Sequence, residues 1–176
     1  VVGWKKGDLG YNPEPAYFET AEALKDFVYD GFCGANLSKY MIKACDLEGK
    51  TLVLLKPCDT YSFNQLIKEH RISKDKIYVI GVGCKGKLDI EKIKAKGIKG
   101  IEKIEDDGKT LKISTLYGDK ELDRNEVLLD KCLCCKGKTH VAADEVIGEE
   151  FETPSVDRFE MVEKLENMTS EERFEF

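Results

Sequence analysis

The division of the chain into apolar and polar positions is clearest between Thr51 and Gly86. Two apolar runs of strand length, Thr-Leu-Val-Leu-Leu from Thr51 and Ile-Tyr-Val-Ile-Gly-Val from Ile77, bracket a helical pattern with Phe63, Leu66, Ile67 and His70 at i, i+3, i+4 and i+7. Strand, helix and strand at this length predict a βαβ unit with two parallel strands. His70 reads as a partly buried residue of the helix stripe. Both strands close on a turn that holds a cysteine, Pro57-Cys58-Asp59 and Gly83-Cys84-Lys85-Gly86. Parallel strands end on one edge, so Cys58 and Cys84 are expected side by side where open α/β sheets bind their ligands.

The flanking segments are shorter. Residues 1–4 predict a strand, and Thr20 caps an expected helix with Leu24, Phe27 and Val28 on one face, stopping near Gly31. Asn36 caps another, carrying Leu37, Tyr40, Met41 and Ala44. A lysine-rich helix is expected over Leu88–Lys96. Gly100–Glu105 and Thr110–Leu116 alternate about Asp106-Asp107-Gly108 and predict a β-hairpin, with a third strand at Lys120–Leu122. A short helix from Asn125 leads to the last cysteines, and residues 137–148 read as a loop with a short strand or turn. From Val156 the chain is charged and helical, and Thr169-Ser170-Glu171-Glu172 resembles a helix opening. The fold class is therefore α/β: a small parallel sheet with a βαβ unit flanked by helices, a β-hairpin insertion and a helical C-terminal tail. We divide it as residues 1–150, one α/β domain, and 151–176, a charged tail.

Composition narrows the function. One domain suits 176 residues, and 41% hydrophobic content supplies a core. A net charge of −6 argues against a nucleic-acid-binding surface. No apolar run is long enough for a membrane span and no signal-peptide pattern opens the chain, so a cytoplasmic location is expected. The start at Val1 and the helix opening shortly before Phe176 read as the ends of a piece of a longer protein.

Seven cysteines cannot all pair internally, and grouped cysteines without a secretion signal favour metal or redox chemistry. Cys132 and Cys135 have the C-x-x-C spacing at which two thiolates hold one centre. With Cys58 and Cys84 they make four sulfurs from three loops, a ligand set for tetrahedral zinc or a 4Fe–4S cluster. Structural zinc sites usually use two paired knuckles; two ligands arriving singly from strand ends suit a bulkier cluster. Lys56, Lys85, Lys87, Lys131, Lys136 and Lys138 flank these cysteines in an acidic chain, where they are expected to stabilise an anionic cluster and raise its potential. Their bland reading is a solvated rim. Cys45 reads as a buried small hydrophobe, and Cys33 as packing or a cofactor contact. Cys134 is expected to point away from the centre, with Cys134 or His140 as possible replacement ligands. Asp144 and Glu145 read as a solvated turn.

Four motifs occur in order: Lys56-Pro57-Cys58-Asp59, Gly81-Val82-Gly83-Cys84-Lys85-Gly86, Lys131-Cys132 to Cys135, and Ala143-Asp144-Glu145-Val146-Ile147-Gly148. Together they resemble the beta-subunit family of deazaflavin-reducing hydrogenases and formate dehydrogenases. The branch most similar is associated with heterodisulfide-reductase-type proteins and a C-terminal ferredoxin segment; Phe32-Cys33-Gly34-Ala35-Asn36-Leu37-Ser38-Lys39-Tyr40 also resembles that branch. The resemblance runs from about Trp4 to Gly148. It implies an α/β domain that holds a 4Fe–4S cluster through Cys58, Cys84, Cys132 and Cys135. It further implies FAD, although no flavin motif is evident, and an electron-transfer role in an anaerobic oxidoreductase. The implied partners are hydrogenase, formate dehydrogenase or heterodisulfide-reductase-type subunits, or a ferredoxin. Beside it stand a zinc-stapled interaction domain and a flavin-dependent reductase using the cluster as relay.

Overall fold

The computed structural model describes residues 1–148 and 159–176. Five strands form the main sheet: β1 (Val2–Lys5), β2 (Glu14–Tyr17), β3 (Thr51–Leu55), β4 (Ile77–Val82) and β8 (Glu145–Ile147), in the order β2-β1-β3-β4-β8. β1, β3, β4 and β8 run parallel, and β2 returns antiparallel to β1. In β3 and β4 the pairing is continuous from Thr51↔Ile77 to Leu55↔Gly81, so both strands reach the same edge together.

Helix α2 (Pro57–Lys68) crosses between them as expected, but begins earlier than the apolar stripe suggests. Pro57 takes the first helical position, where its missing N–H is no loss and its fixed φ fits. Phe63 is fully buried and Leu66 and Ile67 pack behind it. His70 departs from expectation: the helix ends at Lys68, and His70 lies beyond it, exposed, with φ +54. It terminates the helix and does not extend the buried face.

The predicted Thr20 helix does not form. Thr20 Oγ1 accepts from Ala23 N at 3.2 Å, but only a 3-10 turn over Ala23–Asp26 follows, and Leu24 is exposed. β3 pairs with β1 only at Val2, which leaves the Trp4–Lys5 end of that edge open to another segment. Val28 N donates to the Trp4 carbonyl at 2.9 Å and Phe27 bridges Lys5, so this stretch is drawn out along β1. Asn36 does not take the cap position, which falls to Leu37; its Oδ1 instead accepts from Ser38 N at 2.9 Å in a turn ahead of a 3-10 turn and α1 (Met41–Ala44), which replace the expected longer helix. Leu37, Met41 and Ala44 enter the same core as Val2, Trp4, Val53, Leu55 and Val79.

The hairpin is a unit with its own core. β5 (Ile101–Asp106), β6 (Thr110–Thr115) and β7 (Lys120–Asp123) form an antiparallel sheet. Leu111 and Ile113 from it pack with Ile93 of α3 (Ile90–Ala95), Leu88, Ile98, Val127 and Leu128. A 3-10 turn over Arg124–Val127 replaces the short helix expected from Asn125, and α4 (Asp130–Leu133) carries the chain into the last cysteines. The helical reading from Val156 falls partly outside the described residues; α5 (Glu160–Glu166) and α6 (Ser170–Glu175) are helical, and Thr169 with Glu172 forms a reciprocal cap. Among the described residues no helix is long and apolar enough to cross a membrane.

Candidate metal centre

The C-terminal ends of β3 and β4 deliver the first two thiols. Cys58 occupies the second position of α2, directly after β3, and Cys84 follows Gly83 at the end of β4. The other pair arrives because the Gly83–Leu88 turn is stitched to the segment before α4. Leu129 N donates to the Lys87 carbonyl at 2.9 Å, and Leu88 bridges Leu128. Gly86 adopts φ +92, and a Cβ there would stand 3.1 Å from Leu128 and 3.4 Å from the Cys132 Cβ. Only glycine reaches that backbone shape without strain. Cys132 lies in α4 and Cys135 two residues beyond its end.

The result is a cavity of about 300 Å³ lined by all four predicted cysteines. Lys56, Lys87, Lys131 and Lys138 line it too, against one carboxylate, Asp59. Of the six lysines singled out by sequence, Lys85 and Lys136 do not line it: the Lys85 amine lies beside Gly108, and Lys136 covers the Phe159 ring at 4.9 Å. Cys134 is also outside the lining, and its thiol donates to the Asp130 carbonyl at 3.5 Å. Cys33 is fully buried elsewhere, its thiol donating to Val28 O at 3.7 Å and Asp30 Oδ1 at 3.5 Å, and burial pushes its pKa up to about 12. Cys45 packs at the border of the main core. His140 presses its ring on Gly81, where a Cβ would stand 2.7 Å from Cδ2, and does not line the cavity. Asp144 ties the approach to β8 onto β4, accepting from Val79 N at 2.7 Å and pairing with Lys74.

Electrostatics inside the cavity are unusual for an acidic chain. Lys56 is 2% exposed, its Nζ 2.7 Å from Asp59 Oδ2, 2.6 Å from the Ala35 carbonyl and 4.5 Å above the Trp4 ring. Lys87 is 5% exposed, donates to the Asp30 carbonyl at 2.7 Å and lies 4.1 Å above the Tyr29 ring. Burial pulls the Lys87 ammonium below its usual value, with the Cys84 thiol opposing. Cys58 is exposed to the cavity, yet the surrounding protein pushes its thiol up to about 12, helped by Asp59 and opposed by Lys56. Such a thiol keeps its proton until a metal displaces it.

Sequence reasoning missed Arg124. It is 4% exposed, and its guanidinium reaches three acceptors: Asp106 with Nε at 3.0 Å, the Lys85 carbonyl with Nη1 at 2.7 Å and the Gly86 carbonyl with Nη2 at 2.9 Å. The second sheet thus grips the Cys84 turn. Nothing in the local pattern after β7 distinguishes this arginine from a solvated one.

No protein-family model matches the chain. The F420-dependent formate dehydrogenase 1 subunit beta of Methanococcus maripaludis is 31% identical over 86 residues, 49% of this chain and 22% of that protein. The F420-dependent formate dehydrogenase subunit beta of Methanocaldococcus jannaschii is 28% identical over 89 residues, 50% of this chain and 23% of its own length. The chain therefore spans less than a quarter of these relatives. A chain of the F420-reducing [NiFe] hydrogenase complex from Methanosarcina barkeri has the same fold, with a TM-score of 0.59 over 76% of this chain and 52% of that one, at 13% identity. Over the half that aligns, the chain is related to the beta subunits of F420-dependent formate dehydrogenases, the family that its motif order resembles.

Proposed function

We propose that this chain is an electron-transfer part of an oxidoreductase complex and holds one 4Fe–4S cluster through Cys58, Cys84, Cys132 and Cys135. The observation that carries the reading is the single cavity shared by these four thiols and four lysines. Thiols spaced around a roomy cavity suit a polynuclear centre better than tetrahedral zinc, which draws its sulfurs to about 2.3 Å from one atom. When bound, the cluster supplies one-electron exchange; the chain's own residues hold it, exclude water from its buried side and offset its negative charge. Exposed Lys131 beside the mouth favours an acidic redox subunit or ferredoxin as partner.

The test is anaerobic purification with metal analysis. About four irons per chain, with a broad visible absorbance bleached by dithionite, is expected. Each of Cys58→Ser, Cys84→Ser, Cys132→Ser and Cys135→Ser should lower the iron content, while Cys134→Ser and Cys45→Ser should not. One zinc per colourless chain would end the electron-transfer reading. A flavin is the second reading, favoured by a cavity of about 430 Å³ that shares Gly86 and Lys87 with the cysteine cavity and is edged by Gly31, Gly83, Gly108 and Gly148. A yellow cofactor released by acid would establish it.

A further inference from the structure

Three of the lysines at the cavity, Lys56, Lys87 and Lys138, are buried, and the first two differ in how their charge is compensated. Lys56 forms an ion pair with Asp59, both side chains nearly inaccessible, so together they present a dipole and no net charge. Among the described residues Lys87 has no such ion pair. Its contacts are one carbonyl, that of Asp30, and the face of Tyr29. The Asp30 carboxylate is already engaged, accepting from Phe32 N at 2.7 Å and from the Cys33 thiol. An ammonium has three N–H groups, and a buried cation without compensation is costly. Lys87 and Cys84 line the same cavity, and the Cys84 thiol favours the charged form of the Lys87 amine. That charge, only partly offset by Asp30, therefore lies on the cavity wall that Lys87 shares with Cys84.

We propose that Lys87 is a buried counter-cation of the group held at Cys84, and that it, more than the exposed lysines, sets that group's reduction potential. The inference rests on the cluster reading above. Reduction adds one negative charge to the bound centre, and a nearby fixed cation favours the reduced form. Coulomb interactions weaken with the effective dielectric, so a charge 5% exposed acts far more strongly than Lys131 or Lys85, which lie in solvent. Salt screens the exposed charges and leaves the buried one largely unscreened. Lys87 is a positioning residue here: it acts through the Cys84 sulfur and its surroundings, and touches no redox partner.

The experiment compares iron content and midpoint potential, by dye-mediated titration, in the intact protein and in Lys87→Met, Lys87→Gln, Lys87→Arg and Lys131→Met. The expected result is iron retained and a midpoint moved negative in both neutral Lys87 variants. That shift should exceed the one from Lys131→Met, persist at high salt and be largely reversed in Lys87→Arg. Loss of iron in both neutral variants with full iron in Lys87→Arg would also support a charge requirement. An unshifted midpoint with iron retained, a shift that salt erases, or loss of iron in all three Lys87 variants would overturn the proposal. An unsubstituted protein that binds no iron removes the cluster reading first, and this inference with it.

Discussion

Arg124→Met gives the most direct test of how the second sheet controls the cysteine turn. The substitution keeps an unbranched apolar stem and removes the guanidinium. Two backbone carbonyls, Lys85 and Gly86, then lose this donor, and the Asp106 carboxylate keeps only the Gly108 N–H among those described. A buried acceptor left unsatisfied costs about 1–3 kcal/mol. Here the low end applies, because the neighbouring cavity is open and its lining includes all four residues, so water can replace part of what is lost. The Asp106 side chain is 22% exposed and is partly resolvated as well. About 1 kcal/mol for each carbonyl and 1–2 for the carboxylate gives roughly 3–4 kcal/mol. That is a large part of the 5–15 kcal/mol typical of a domain. Urea denaturation of the metal-free protein under reducing conditions reads it directly. With a slope of roughly 2 kcal/mol per molar, the midpoint should fall by about 1.5–2 M at unchanged slope. Asp106→Asn, which keeps an acceptor, should cost much less. A loss below about 1 kcal/mol for Arg124→Met would falsify the claim that this side chain clamps the turn.

Three other outcomes follow from the geometry. Asp59→Ala leaves Lys56 buried without its carboxylate and should destabilise the fold by about 3–5 kcal/mol in the same assay; a near-neutral effect would mean that Lys56 finds water in the cavity. Lys74 and the Val79 N–H hold the Asp144 carboxyl below its usual value, so its contribution is present above about pH 3.9, the unfolded-state value, and is lost as pH falls through the lower folded one. The stability gap between the protein and Asp144→Asn should accordingly be about 1–2 kcal/mol at pH 7 and close in acid, and a pH-independent gap would contradict the assignment. Gly86→Ala places a side chain at φ +92 against Leu128 and Cys132; lower iron loading should accompany about 1–2 kcal/mol of lost stability, whereas full loading would show that the turn adapts.

The βαβ unit was legible because its signals agree. Two apolar runs buried between layers, a helical stripe through Phe63 and turn residues at both strand ends leave little alternative, and parallel strands oblige Cys58 and Cys84 to share an edge. The Thr20–Gly31 stretch misled for a physical reason. Leu24, Phe27 and Val28 have helical spacing, but the vacant carbonyl of Trp4 captures Val28 first, and that vacancy depends on how β3 diverges from β1. His70 misled because spacing alone does not mark the end of a helix. β8 is three residues with exposed side chains, so its place beside β4 came from backbone pairing and not from pattern. Lysines and arginines read as solvated in any periodicity argument, and for that reason the buried Lys56, Lys87, Arg124 and Lys138 were invisible as interior groups.

That blindness falls at the candidate metal centre. An interior cation is a local conflict with the rule that charge faces water, and such conflicts persist where something else compensates them. Lys56 has its compensation within the chain, in Asp59 and Trp4; Arg124 has it in Asp106 and two carbonyls. Lys87 alone of these three lacks a carboxylate partner among the described residues. If an anionic centre completes that compensation, its binding energy is available to the fold by mass action, and thiols drawn from three separate segments distribute it across both cores. Cys58 belongs to the main core's helix, Cys132 and Cys135 follow the second core's last strand, and Cys84 stands on the turn that Arg124 fastens between them. A group bound to all four would tie the two cores together, so loading should raise the unfolding temperature and merge any separable melting of the two sheets into one transition. Two transitions persisting in the iron-loaded protein would show that the four sulfurs do not share one centre.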